Sequence, residues 1–296
     1  RAQLSRLLDF DDPKIGAVAT RIEAFGSPGP GIERYIAWQN TLVTPEEHAR
    51  AIFVESPVCH PSTTIRRAAL DEVGGFREGP FAEDYDLWLR LISAGWGIAK
   101  VPDVLFRWRI HGQSLTWNDP RYSADNLRKL RAEHLAKRLT RPFAVWGAGV
   151  CGRRLARELE THGARPEYFI DIDPKKIGRI ARDRRILDVD RALERARTEG
   201  ILIIPAVGAE GARDLIRAEL DRRAFERIAR RHRLDARAVG VRLRPGCRRL
   251  RHTETLGLVD GNGLGPRGVR RPSPGGWATC YMKITATIVA RTSPDT

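Results

Sequence analysis

Phe143-Ala144-Val145-Trp146-Gly147-Ala148-Gly149-Val150-Cys151-Gly152 is the stretch whose reading decides the class of fold. Four apolar residues run directly into a glycine-rich turn, and the residues that follow, to about His162, have the spacing of a helix. Gly147, Gly149 and Gly152 give the pattern GxGxxG, and Asp171 lies 19 residues beyond the last of them. Backbone N–H groups of such a turn can approach a phosphate at a helix N-terminus, and dinucleotide-binding folds place a ribose-binding acid at about this distance. Glycine turns of this kind also serve purely to let a helix pack closely on a strand, so both readings stand. Further along, 168–170 reads as a second strand, 201–205 as a later strand and 209–222 as a later helix. Strands interleaved with helices predict an α/β unit over 140–223 with a doubly wound parallel sheet.

Beyond this unit the order disappears. Residues 222–296 hold 16 Arg and one Lys against five acids, a net charge of +12 that leaves only +3 of the chain's total of +15 for everything before. The segment 224–296 is rich in Arg, Gly and Pro and keeps no amphipathic period. It reads either as a disordered tail or as sequence translated out of frame, and no defined fold is expected there. A basic tail attracts nucleic acid and acidic membranes without specificity. No interleaving of basic and aromatic residues marks a dedicated site, so a specific nucleic-acid partner is not expected.

Before the glycine turn, residues 1–139 read as a separate domain. Residues 15–25 alternate as a strand would. Thr44-Pro45-Glu46-Glu47 is a helix start, with Thr as N-cap, Pro at the first helical position and a glutamate closing a capping box. A short strand at 62–65 leads into a helix that Gly74-Gly75 ends. Residues 83–94 read as a helix, because Leu87 and Leu91, with Trp88 and Ile92, fall on one face; the spacing makes Trp88 a core residue. Strands at 98–101 and 104–110 and a basic helix over 123–138 complete the segment.

The ordered set Cys59-His60-Pro61-Ser62-Thr63-Thr64-Ile65-Arg66-Arg67, Val73-Gly74-Gly75-Phe76, Ala82-Glu83-Asp84-Tyr85-Asp86-Leu87-Trp88-Leu89-Arg90-Leu91, Val101-Pro102 and Arg107-Trp108-Arg109-Ile110-His111 resembles the family 2 glycosyltransferases, which have the GT-A fold. The match covers roughly residues 1–120. It implies an inverting transfer of sugar from a nucleotide-diphosphate donor to the hydroxyl of a carbohydrate or lipid-linked acceptor, as in the making of cell-envelope polysaccharides. It also implies that Asp84, beside Glu83, is the catalytic base. The chemistry agrees: a carboxylate must take the acceptor's proton, and a helix N-terminus keeps a carboxylate ionised. Read without the family, the two acids simply cap a helix. His111 corresponds to a contact with a diphosphate-bound metal, Mg or Mn, or else is an exposed loop histidine. His60 lines an acceptor cleft or closes the turn before Pro61. Arg107 and Arg109 reach a diphosphate or are ordinary surface arginines.

The Asp-x-Asp motif that holds the metal in these relatives is not found. Asp9, Asp11 and Asp12 belong to a helix and turn of the kind that follows it. The chain begins at Arg1 and its one methionine is Met282, so it reads as a piece of a longer enzyme, inactive on its own.

In the second unit, Ile170-Asp171-Ile172-Asp173-Pro174-Lys175-Lys176-Ile177-Gly178-Arg179 and Ala206-Val207-Gly208-Ala209 resemble the small Rossmann-like domains appended to some sugar-modifying enzymes and glycosyltransferases. The resemblance implies a structural or regulatory module, with a nucleotide at Gly147, Gly149, Gly152 and Asp171 as the alternative. No Tyr/Lys pair at helical spacing and no His/Asp pair offers hydride chemistry. A dinucleotide-dependent reductase and a non-catalytic interaction protein are the rival readings of the whole chain. Four cysteines without metal-type spacing fit a reducing compartment, and no apolar run approaches the ~20 residues that cross a bilayer. A cytoplasmic protein with at most a peripheral membrane contact is expected.

Overall fold

The structure, a computed structural model, describes residues 12–209, 211–223 and 225. The first eleven residues and the basic tail lie outside the described residues, so the expectations placed on them find no counterpart here. In chain order the elements are β1 (Ile15–Gly26), α1 (Pro30–Thr41), α2 (Pro45–Ala51), β2 (Thr64–Ile65), α3 (Arg67–Glu72), α4 (Glu83–Ala94), β3 (Gly97–Ile110), α5 (Leu115–Asn118) and α6 (Ala124–Ala136). There follow β4 (Phe143–Trp146), α7 (Val150–Glu160), β5 (Phe169–Ile170), β6 (Ile180–Ala181), β7 (Arg184–Leu187), α8 (Val189–Glu199), β8 (Leu202–Pro205) and α9 (Ala212–Arg222).

The chain is mixed α/β with two sheets that contain parallel pairs. The first has the order β2-β1-β3, with β1 parallel to β3 and antiparallel to β2. Residues 98–110, expected as two strands, form one. Thr20 pairs with Val101 but Arg21 pairs with Val104, so Pro102 and Asp103 bulge out of the ladder. Proline has no N–H to give, and a bulge lets the strand continue past it. Thr44 caps α2 as read: Glu47 N–H donates to Thr44 Oγ1 (3.3 Å) and Thr44 N–H donates to the Glu47 carboxylate (2.9 Å).

The second sheet has the order β6-β7-β5-β4-β8; β7, β5, β4 and β8 are parallel, and β6 is an antiparallel edge. Alternate residues of its strands feed two faces. Phe143, Val145, Phe169 and Leu202 pack with Leu155 and Leu159 of α7, whereas Ala144, Trp146, Ile170 and Ile203 pack with Leu193 of α8 and Ile216 of α9. Helices therefore cover both faces, as a doubly wound sheet requires. The first cluster does not stop at the sheet. It continues through Leu130 and Leu135 of α6 to Leu87, Leu89 and Leu91 of α4.

The glycine turn is dictated by sterics. Gly147 has φ +123°, and a Cβ on it would meet Ala206 O at 2.7 Å. A Cβ on Gly152 would fall 1.8 Å from Gly147 O, whereas one on Gly149 has nothing within 4 Å. Two of the three glycines are thus required by the strand–turn–helix packing itself. Gly152→Ala is expected to destabilise the protein by about 2 kcal/mol or more, because the turn must move to admit the methyl group. Gly149→Ala should cost under about 1 kcal/mol, the size of a helix-start preference. Urea unfolding of the two variants measures the difference.

Candidate functional site

Helix α4 starts at Glu83 after Ala82, an N-cap whose side chain makes no capping bond. The first-turn acids supply part of the missing cap, since Asp84 Oδ1 accepts the N–H of Tyr85 at 2.7 Å. Successive residues of the turn then point in different directions. Tyr85 is buried and its hydroxyl donates to Ile52 O, and Trp88 is fully buried, as its spacing implied. Glu83, Asp84 and Asp86 each meet a different set of partners.

Asp86 is buried, and its carboxylate takes three donors. Arg77 and Arg90 place guanidinium groups on it, with Nε distances of 3.0 and 2.7 Å, and His134 Nε2 of α6 lies at 3.2 Å. These bonds outweigh the cost of burial and hold the Asp86 carboxyl well below the usual carboxylate range. Arg90 also donates to Val73 O (2.5 Å) and Gly75 O (2.7 Å), so it fixes the end of α3 and the Gly74-Gly75 turn. Sequence reasoning passed over Asp86, although its i,i+4 spacing from Arg90 was a signal.

Asp84 faces a different environment. Burial raises its affinity for the proton, against which the Tyr85 N–H and the nearby His60 act in part. Its negative charge in turn helps raise Tyr35 of α1, Cys59 and Tyr122, where burial is the largest cause; Cys59 is pushed up to about 12. Three segments far apart in sequence, those of Tyr35, Cys59-His60 and Tyr122, thereby lie within reach of the charge of one carboxylate. The His60 ring is stacked on Phe76 (centroids 5.2 Å apart) and meets Trp88 edge-on (6.0 Å). Asp84 and His60 are partly exposed and Phe76 is 44% exposed, so the group opens on the surface. Glu83 is held away by Arg121, whose Nη1 lies 3.1 Å from it while the same guanidinium grips Asp119 at 2.6 Å.

The other expected residues are not brought to this group. Phe106, Trp108 and Ile110 of β3 join the apolar cluster that contains Cys59, and the pleat sends Arg107 and Arg109 to the opposite face of the sheet. There Arg107 pairs with Glu23 (2.6 Å) and lies over the Phe25 ring (5.0 Å). His111 is exposed on the turn after β3, and its carbonyl accepts the N–H of Ser114 (3.1 Å). Among the described residues no three His, Cys, Asp or Glu side chains converge as a metal centre would require. His111 is therefore not part of such a group there.

At the glycine turn, Asp171 is engaged internally. Its Oδ2 accepts the N–H of Ala148 (3.0 Å) and lies 3.2 Å from Lys176 Nζ, while Oδ1 accepts the N–H of Asp173 (3.0 Å). These bonds keep its carboxyl below the ordinary range in spite of burial. The expected ribose acid thus ties the turn to the loop after β5. Two recesses of about 600 and 490 Å³ lie away from Asp84, one lined by Arg185, Arg191 and Arg195 and the other by Arg77, Arg90 and Lys137.

Comparison with known proteins points to sugar transfer. The chain is 34% identical over 56 residues to the amylovoran biosynthesis glycosyltransferase AmsE of Erwinia amylovora, which is 19% of this chain and 21% of that protein. It is 26% identical over 82 residues to an uncharacterized glycosyltransferase of Haemophilus influenzae, 28% of this chain and 30% of the relative. The chain thus spans less than a third of the length of these curated relatives. No protein-family profile matches it, and no solved structure does. None of the described helices is long and apolar enough to cross a membrane.

Asp86 and Asp84 should respond oppositely to neutralisation. Asp86→Asn leaves cationic partners uncompensated and is expected to cost about 3 kcal/mol, at the low end for a broken buried pair because Arg77 is partly exposed. Since the folded carboxyl is depressed, the stability it supplies is present above the unfolded value of about 4 and lost as pH falls below it. Asp84 is raised in the fold, so its contribution is fully present below about pH 4 and lost as pH rises through the folded value. Asp84→Asn should therefore leave stability at pH 7 unchanged or slightly increased. Urea unfolding at pH 3 to 8 tests both signs.

The relatives whose segments this chain matches are glycosyltransferases, and the chain is related to them over those segments.

Proposed function

We propose that the chain forms the acceptor side of an inverting glycosyltransferase of the family 2, GT-A kind, with Asp84 as the general base. The observation that carries this reading is a partly exposed carboxylate on the first turn of a helix, with proton affinity raised by burial and with Tyr35, Cys59, His60 and Tyr122 within reach of its charge. The neighbouring acid, Asp86, is consumed by structure, and Glu83 by Arg121. Asp84 is left to do chemistry.

In the reaction Asp84 removes the proton from an acceptor hydroxyl as that oxygen attacks the anomeric carbon of a nucleotide-diphosphate sugar. The bond to the diphosphate breaks with its electron pair, and the configuration inverts. A base whose affinity for the proton is raised above that of an ordinary aspartate is better matched to this proton transfer near neutral pH. Its place on the first turn of a packed helix holds the acceptor in line. The acceptor is a carbohydrate or a lipid-linked carbohydrate, met in the cytoplasm with at most a peripheral membrane contact. The glycine-turn unit is Rossmann-like and acts as a structural module, a role favoured by the internal use of Asp171. No step of the mechanism is assigned to it.

Transfer of labelled sugar from a panel of nucleotide-diphosphate sugars to methyl glycosides tests the proposal. The chain is assayed alone and together with any coding sequence found upstream of Arg1. Asp84→Asn should lower transfer about 10²- to 10⁴-fold, the worth of a positioned base. In the parent enzyme the acidic limb of the pH–rate profile should lie above pH ~4, the ordinary carboxylate value. Near-normal turnover of the variant removes Asp84 from its role.

A further inference from the structure

The Gly74-Gly75-Phe76-Arg77 turn is an exposed loop that the buried ion pairs hold from both sides. Gly74 and Gly75 have φ of +76° and +70°, a backbone that side chains resist and that sets the direction of the next residue. Gly75 O accepts from Arg90 at 2.7 Å, and Arg77, one residue past Phe76, is bound to Asp86. Phe76 is nonetheless 44% exposed. One side of its ring is covered by His60, tilted by 32° at 5.2 Å, and His60 in turn meets the buried Trp88. An exposed aromatic ring on a slack loop needs no explanation. One clamped on both flanks by a buried carboxylate, and backed by a histidine that packs on Trp88, one helical turn along α4 from Asp84, has a fixed face on the side of the helix that carries the proposed base.

Resting on that assignment of Asp84, we propose that Phe76 is the acceptor platform: its free face stacks on the C–H face of a pyranose ring, with His60 as the wall behind, and so presents one ring hydroxyl to Asp84. A flat aromatic ring carries a negative face and attracts the weakly positive C–H groups on one side of a sugar, and such contacts leave the hydroxyls at the rim free to be bonded or deprotonated. The acceptor class that follows is a pyranoside with a continuous C–H face. A flexible polyol does not fit, because it offers no rigid face. The arrangement also explains why two acids two residues apart on α4 behave so differently. Asp84 meets the hydroxyl, and Asp86 holds the platform that delivers it.

The test uses the purified chain and ligand-observed saturation-transfer NMR with methyl β-D-galactopyranoside, methyl β-D-glucopyranoside and glycerol as the probes. The expected result is binding of the glycosides and not of glycerol, with saturation concentrated on the protons of one ring face. Phe76→Leu, which keeps apolar bulk at an exposed position but removes the aromatic face, should weaken binding roughly five- to tenfold, the size of one aromatic contact. Phe76→Trp should restore it or tighten it, an outcome that a merely structural role for the turn would not give. No glycoside binding, unchanged affinity in Phe76→Leu, or saturation spread evenly round the ring overturns the platform. The two ideas fail separately. If Asp84→Asn abolishes transfer while Phe76→Leu binds normally, the base stands and the platform falls. If glycosides bind through Phe76 and Asp84→Asn still transfers sugar, the platform stands and the base falls.

Discussion

A negative charge that has been taken out of water must be met by positive groups, and the first half of this molecule is arranged around one such demand. The Asp86 carboxylate is buried, and Arg77, Arg90 and His134 come to it from a turn, from its own helix and from α6. Leaving one such charge unmatched costs several kcal/mol. The partners are therefore held, and with them the segments they belong to. Through Arg90 the constraint reaches the end of α3 and the glycine pair, through Arg77 the loop that follows, and through His134 the helix that leads to the second sheet. Apolar packing around Trp88 and Leu87 supplies the bulk of the stabilisation, at roughly 1.5–3 kcal/mol for each large side chain buried. It does not specify which loop goes where. The ion pairs do.

A second charged device operates where α6 meets α7. Arg128 is almost wholly buried and pairs with Asp125 at 2.7 Å on its own helix and with Glu158 of α7 at 3.5 Å. Three residues on, Arg131 donates to Val54 O (2.6 Å) in the first half of the chain. One helix thus offers Arg128 to the glycine-turn unit and Arg131 and His134 to the other side. Its basic character, evident in the sequence, reflects this double duty.

Local signals carried the fold where they were strong. The Thr44–Glu47 capping box, the glycines after α3, the apolar run into Gly147 and the four-residue spacing in α4 all describe contacts within a few residues, and each has its counterpart in the structure. The hairpin between β6 and β7 escaped because its turn is built from Arg182 and Asp183, both with positive φ (+47° and +59°). Turns of this shape are normally advertised by Asn-Gly or Gly, and nothing in the sequence announced one. Helix α8 was legible after the fact, since Asp188 caps it through Arg191 N–H. The candidate site divides in the same way. Asp84, Glu83 and His60 were marked by a local resemblance, and the structure packs His60 on Trp88, one turn along α4 from Asp84. Tyr35 and Tyr122 come from segments about 50 and 40 residues away on either side, and only the tertiary fold reveals them. Arg107 and Arg109 stand apart from Asp84 for a simpler reason. A strand shows which residues share a face but not which face the chemistry occupies, and the apolar partners of Cys59 claimed the other one.

The apolar cluster that runs from α4 through α6 into the face of the second sheet has a thermodynamic consequence. Two units that share one core cannot melt independently, because separating them exposes the leucines of α6 on whichever side keeps the helix. Unfolding should then be a single cooperative event across residues 12–223, with one transition in place of two. Heritable exchange of the glycine-turn unit between such proteins would face the same barrier. A recombination joint after α6 would carry away half of a hydrophobic interface, so a new partner must arrive with a matching surface, and the two parts are bound to change together.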